Sequence, residues 1–217
     1  VIEAGVGSGA LSAYLLRAIG DKGQLHSFEV REEFAQIAKA NVANFLDHEP
    51  KNWTVEIGKL QEQLPTALGS KSADRAVLDM LAPWECIGAV HQALRPGGVL
   101  IVYVATVTQL SRTVEEIKSL GGFTDPNAFE TTVRPWHLEG LAVRPEHRMI
   151  GHTGFLMTAR RLADDTKLPD FRSRRVNKVE YSEDDMDTWL PEAMGVRPIG
   201  EKKLRKTVRK VTTETDK

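Results

Sequence analysis

The chain has 217 residues, enough for one sizeable core or for one domain with a tail. Hydrophobic residues make up 41% and charged residues 27%, an ordinary balance for a soluble globular protein, and the formal net charge of -1 excludes overall charge as a source of affinity for a polyanion. A single cysteine, Cys86, excludes an internal disulfide framework and fits a reducing cytoplasm. No run approaches the roughly 18 apolar residues of a membrane-spanning helix, and no signal-peptide pattern is present. The sequence starts at Val1 within an apolar run, which is read as a chain without its natural N-terminus.

In chain order, the first 160 or so residues alternate short apolar runs with helical patterns, the rhythm of an α/β fold with a mostly parallel sheet. A strand stub over Val1 to Glu3 meets a glycine loop, and a helix follows over about Ala10 to Ile19, stopped by Gly20 and Gly23. A second strand is expected over Gln24 to Glu29 and a helix over about Arg31 to Phe45. That helix carries Phe34, Ile37, Ala38, Val42 and Phe45 as a core-facing stripe. Strands over Trp53 to Ile57 and Ala73 to Leu78 come next, then a helix over about Glu85 to Leu94 and a turn at Pro96-Gly97-Gly98. Val99 to Val104 reads as a strand buried on both faces. Leu110, Val114, Ile117 and Leu120 mark the helix after it. Thr131 to Val143 and Thr153 to Arg161 read as two long strands with no helix between them, so they should pair antiparallel.

Residues 1–162 therefore form the expected catalytic domain, and 163–217 a charged tail. In the tail, Leu204, Val208 and Val211 repeat at helical spacing among basic residues, so a basic helix near 201–211 is one reading. A solvated tail and an RNA-contacting arm both fit. Residues 1–163 carry 16 basic and 18 acidic residues, so the catalytic part is not a basic RNA-binding domain by itself.

The run Glu3-Ala4-Gly5-Val6-Gly7-Ser8-Gly9 leaves a strand and enters a helix. Glycines there allow a sharp turn and a close approach to a ligand, and the helix start offers free N–H groups. Glu29, at the end of the next strand, can accept from both hydroxyls of a ribose. Gly5, Gly7 and Ala10 also satisfy the dinucleotide pattern, so an NAD-dependent oxidoreductase is a competitor. Glu3, expected to hold a cationic amino group, the third glycine and the antiparallel sheet end favour S-adenosylmethionine. The expected cofactor contacts are Glu3, Gly5, Val6, Gly7, Ser8, Gly9, Ala10, Leu11, Glu29, Leu60 and Asp79.

Asp79 ends the fourth strand, where ligands sit in open α/β sheets. Pro83 fixes the turn that follows and Trp84 offers an apolar wall; the plain alternative is that Asp79 caps a helix and Trp84 fills core. Asp74 to Trp84 resembles the tRNA (adenine-58-N1)-methyltransferase family, as do Val102 to Leu110, Leu141 to Pro145, Gly151 to Leu156 and the opening Val1 to Gly9. The resemblance covers roughly residues 1–162 and is nearest to bacterial, actinobacterial-like members. It implies a class I methyltransferase fold and methyl transfer to N1 of an adenine in the tRNA T-loop. It also implies a homotetramer and a small N-terminal β-domain that would lie before Val1. Where the family places an acidic contact to the cofactor adenine, this sequence has Gly58-Lys59, leaving a backbone N–H at Leu60.

Adenine N1 already carries a lone pair, so the reaction asks for alignment, exclusion of water and a carboxylate near the positive charge that develops. Asp79 takes that catalytic role. Trp84, Gln109 and His152 are weaker substrate candidates. His147 and His152 lack partners at ligand spacing, so no metal is expected. Other class I methyltransferase substrates remain open, and so does a non-catalytic RNA-binding subunit, although the intact cofactor loop argues against the latter.

Overall fold

The computed structural model describes residues 1–166. A seven-stranded sheet runs in the order β3-β2-β1-β4-β5-β9-β6. Its parallel part is β1 (Ile2–Ala4), β2 (Leu25–Glu29), β3 (Trp53–Ile57), β4 (Ala73–Asp79) and β5 (Leu94–Val104). β6 (Asn127–Phe129) and β9 (Phe155–Arg160) close it antiparallel. This is the mostly parallel sheet with an antiparallel end expected from the strand rhythm.

Strand order reverses between β1 and β4, so the helices divide over two faces. α1 (Ala10–Ile19) and α2 (Glu32–Leu46) cover one face, where Ala13, Leu16, Leu25 and Val42 form a small core. α3 (Leu60–Ala67), α4 (Ile87–Ala93) and α5 (Val107–Leu120) cover the other, over Ile2, Ala4, Leu78, Leu100 and Val102. The period-2 alternation of strands therefore sends Glu3 toward α1 while Ile2 and Ala4 face α3 and α4.

Three expectations change. Thr131 to Val143 is not one long strand. Pro135, which has no N–H to give a ladder, precedes β7 (Trp136–Glu139), and a two-residue turn at Gly140, φ +53°, leads into β8 (Ala142–Pro145). This hairpin forms a sheet of its own, and the short β6 takes the place beside β9. The helix expected over Glu85 to Leu94 is a 3-10 turn over Pro83–Cys86 followed by α4, and β5 starts at Leu94, running through Pro96-Gly97-Gly98 with a register shift. α3 is an addition: it carries an internal Pro65 and only Leu60 and Leu64 as buried anchors, a stripe too short to read by periodicity. The tail from residue 167 onward, and with it the reading of a basic helix near 201–211, lies outside the described residues.

Candidate active site

A cleft of about 800 Å³ opens at the C-terminal ends of β1, β2 and β4, at the point where strand order reverses. Ligands bind at this position in open α/β sheets. The loop between β1 and α1 forms its floor. Gly5 has φ +85° and Gly7 φ +53°, and a Cβ at Gly5 would strike the main chain of Asp79. Gly9 does different work. It caps α1 at φ +84°, and a Cβ there would stand 2.9 Å from the Ala38 carbonyl oxygen of α2. It therefore lets α1 and α2 pack closely and does not line the cleft. Asn41 of α2 donates to the Ser8 carbonyl at 2.9 Å and holds the loop from outside.

Of the other residues expected at the cofactor, Gly5, Val6, Gly7, Ser8, Ala10, Leu11, Glu29, Leu60 and Asp79 line the cleft. The Glu29 carboxylate accepts from the Gly7 N–H at 3.2 Å and the Arg31 N–H at 3.1 Å. It is 5% exposed, and the Gly58 N–H donates to its own carbonyl at 2.9 Å, joining the ends of β2 and β3. Lys59 lines the cleft and pairs with Glu62.

The structure places Glu3 outside the cleft lining. It is fully buried and faces α1, away from the cleft. Its carboxylate accepts from Ser12 at 2.8 Å and Ser27 at 2.5 Å, and Ser27 in turn accepts from the Trp53 indole N–H. Register explains this: Glu3 stands beside Ser27 in the β1–β2 ladder, so both side chains leave the sheet on the α1 face. Desolvation pushes the Glu3 carboxyl above the usual range, partly offset by the two serine hydroxyls and reinforced by the charge of Asp79.

Asp79 stands at the mouth of the cleft. Partial desolvation raises its carboxyl above the ordinary value. Past it, Met80 to Ala82 form the wall toward any acceptor. Trp84, Gln109 and His152 lie outside the cleft lining. The Arg112 guanidinium lies 4.3 Å from the centre of the Trp84 ring, whose buried Nε1 finds no partner among the described residues. Gln109 donates to the Leu81 carbonyl at 2.9 Å. His152 places Nδ1 2.8 Å from Glu130 and Nε2 3.0 Å from the Ala105 carbonyl. Both partners accept, so the protonated ring satisfies both contacts, which raise the imidazole above its ordinary value, the Ala105 bond most. Cys86 is buried, and desolvation pushes its thiol up to about 11, which keeps it protonated beside Met80.

Sequence reasoning missed Arg31, Gln61, Met80 and Glu85 as lining residues. Their common signal is position in the segments that follow β2, β3 and β4. Nothing local in the sequence marks Asn41 as a loop anchor.

A family model described as tRNA methyltransferase complex GCD14 subunit matches residues 1–143. The chain belongs to this family. Among curated relatives, the Methanocaldococcus jannaschii protein named tRNA (adenine(57)-N(1)/adenine(58)-N(1))-methyltransferase TrmI is 32% identical over 184 residues, covering 74% of this chain and 64% of the relative. Among solved structures, a SAM-dependent O-methyltransferase from Thermotoga maritima superposes with a TM-score of 0.67 at 29% identity, over 76% of this chain and 60% of that one. The tRNA (m1A58) methyltransferase TrmI from Aquifex aeolicus gives 0.62 at 25%, over 75% and 62%. The chain thus spans less than two thirds of the length of these relatives, and its fold is that of class I methyltransferases.

Proposed function

We propose that this chain carries the catalytic domain of a tRNA (adenine-58-N1)-methyltransferase that moves a methyl group from S-adenosylmethionine to N1 of adenine 58. The observation that carries the reading is Asp79, set directly across the strand-order reversal from a glycine loop, in a chain of this family. The cleft fits the cofactor. A glycine cradle without side chains floors it, and a carboxylate at the end of β2 matches a ribose diol. When bound, S-adenosylmethionine supplies a methyl carbon on a cationic sulfur that leaves with the bond's electron pair.

The chain's own residues do the rest. Gly5 and Gly7 let backbone approach the ligand, and Glu29 orients the ribose. Leu60 offers a backbone N–H toward the adenine ring. Glu3 acts through the loop by fixing β1 to β2 and α1. Asp79 accepts from the ligand's amino group or from the exocyclic amine of the target base. Its negative charge stabilises the positive charge that N1 gains as the new carbon–nitrogen bond forms. The target base must leave its stack to reach this wall.

The protein works as a cytoplasmic homotetramer in this reading. Support comes from the hairpin β7–β8 and its flanks, where Val133, Leu138, Leu141 and Val143 are all strongly exposed. An apolar patch of this kind marks an interaction surface.

The test is transfer of labelled methyl to tRNA transcripts with adenine or guanine at position 58, followed by nucleoside mapping. Label in 1-methyladenosine from the adenine transcript alone is expected. Transfer to another nucleoside, or to none, overturns the reading. Titration calorimetry with S-adenosylmethionine and with NAD distinguishes it from the oxidoreductase.

A further inference from the structure

We propose that Gln109 is a positioning residue whose carboxamide, fixed by the N-terminal cap of α5, holds the Met80–Trp84 segment that directly follows Asp79. This rests on the methyltransferase reading above. Both heteroatoms of the side chain are committed. Its oxygen accepts from the Thr106 N–H at 3.0 Å and the Thr106 hydroxyl at 2.9 Å, while Thr106 Oγ1 accepts from the Gln109 N–H at 3.2 Å. Together these make a capping box. Two acceptances saturate a carboxamide oxygen, so its orientation is set and its NH2 group points one way. That group donates to the Leu81 carbonyl at 2.9 Å, across 28 residues of chain.

One turn further along α5, the Arg112 guanidinium lies against the Trp84 ring. Positions 109 and 112 share a helix face. The helix therefore grips the segment at two points, Leu81 and Trp84, on the C-terminal side of Asp79. Leu81 itself is 81% exposed, so its side chain does not anchor the segment through burial. The backbone tether does. Gln109 thus acts on the reaction through the wall and does not touch the substrate.

The cap and the tether are separable by substitution. Gln109→Glu keeps an acceptor for both Thr106 groups, since glutamate is itself a capping-box residue, but its carboxylate cannot donate to Leu81. Gln109→Ala loses both. The melting temperature of Gln109→Glu should stay near that of the parent, while Gln109→Ala should fall by roughly 2–4 °C. The kcat of Gln109→Glu should drop about 10- to 100-fold with KM for tRNA and cofactor affinity little changed, the effect of a small misplacement of a reacting group.

Hydrogen exchange of the Met80–Trp84 peptide reads the tether without any reaction, and should be faster in Gln109→Glu. Unchanged exchange overturns the tether. Faster exchange with unchanged kcat, or a loss confined to KM, overturns the positioning role. If the parent transfers no methyl to tRNA, the substrate reading fails, and exchange still decides the tether.

Discussion

Gly5 and Asp79 meet main chain to main chain: a Cβ on residue 5 would stand 1.7 Å from the Asp79 carbonyl oxygen. The contact joins the turn after β1 to the end of β4 at the point where strand order reverses. Gly7, two residues on, also has a positive φ but meets nothing within 4 Å. The two glycines therefore differ in what a methyl group would cost. Gly7→Ala should lose only the left-handed backbone penalty of about 1–2 kcal/mol. Gly5→Ala must also push β1 off β4 and should cost upward of about 3 kcal/mol. Chemical denaturation of both variants without ligand checks this. Equal losses would show that packing against Asp79 is not what requires the glycine.

Asp79 should trade stability for chemistry. Desolvation raises its carboxyl in the folded protein, so folding favours the protonated form. The penalty for the charged form is fully present at pH 7–8 and fades as pH falls through the raised value. Asp79→Asn should therefore melt above the parent at neutral pH and converge with it in acid. The same change should lower kcat by about 100- to 1000-fold, because the stabilising charge is gone. Parent activity should fall on the acid side as this carboxyl takes up its proton. Unchanged turnover, or a lower melting temperature at pH 7.5, would contradict the assignment.

Glu3 separates a structural carboxylate from a ligand-binding one. Buried and bonded to Ser12 and Ser27, it has no face toward the cleft. Glu3→Gln keeps the volume, and the serine hydroxyls can turn to meet an amide. Cofactor affinity measured by titration calorimetry should change less than about threefold, which is under 0.7 kcal/mol. The melting temperature at pH 7.5 should hold or rise, because a buried charge with a raised carboxyl value is removed. A loss of affinity beyond tenfold would restore a direct ionic contact.

The contrast between Glu3 and Glu29 shows what the sequence alone could tell. Both are acidic and both flank the glycine loop, so motif spacing assigns both to the ligand. Glu3 pairs with Ser27, which shares a strand face with Glu29, so the two carboxylates differ in depth along the sheet: Glu29 ends β2 where the cleft opens, Glu3 lies deeper, and that offset is a property of paired strands. The Val99–Val104 part of β5 was readable because a strand buried on both faces is continuously apolar. α3 was not, because two leucines and an internal proline give no helical stripe. Gln109 looked like a free amide near a ligand, since its partner at Leu81 is distant in sequence. His152 likewise gains meaning only when the fold brings Glu130 and Ala105 to its two nitrogens.

The hairpin β7–β8 yields the last prediction. Leu138 is 73% exposed and Leu141, in the turn, fully so. Among the described residues, the strands pair only with each other. An isolated two-stranded hairpin is marginal in water and gains stability by packing against something else. A second copy of the chain satisfies this in the tetrameric reading. Leu138→Asp with Leu141→Asp should then shift the mass measured by light scattering from tetramer toward smaller species. Neither residue lines the cleft, so cofactor affinity should hold. If the double variant keeps the parent's mass, assembly does not run through this hairpin. If the parent is already a monomer, the tetrameric reading itself falls.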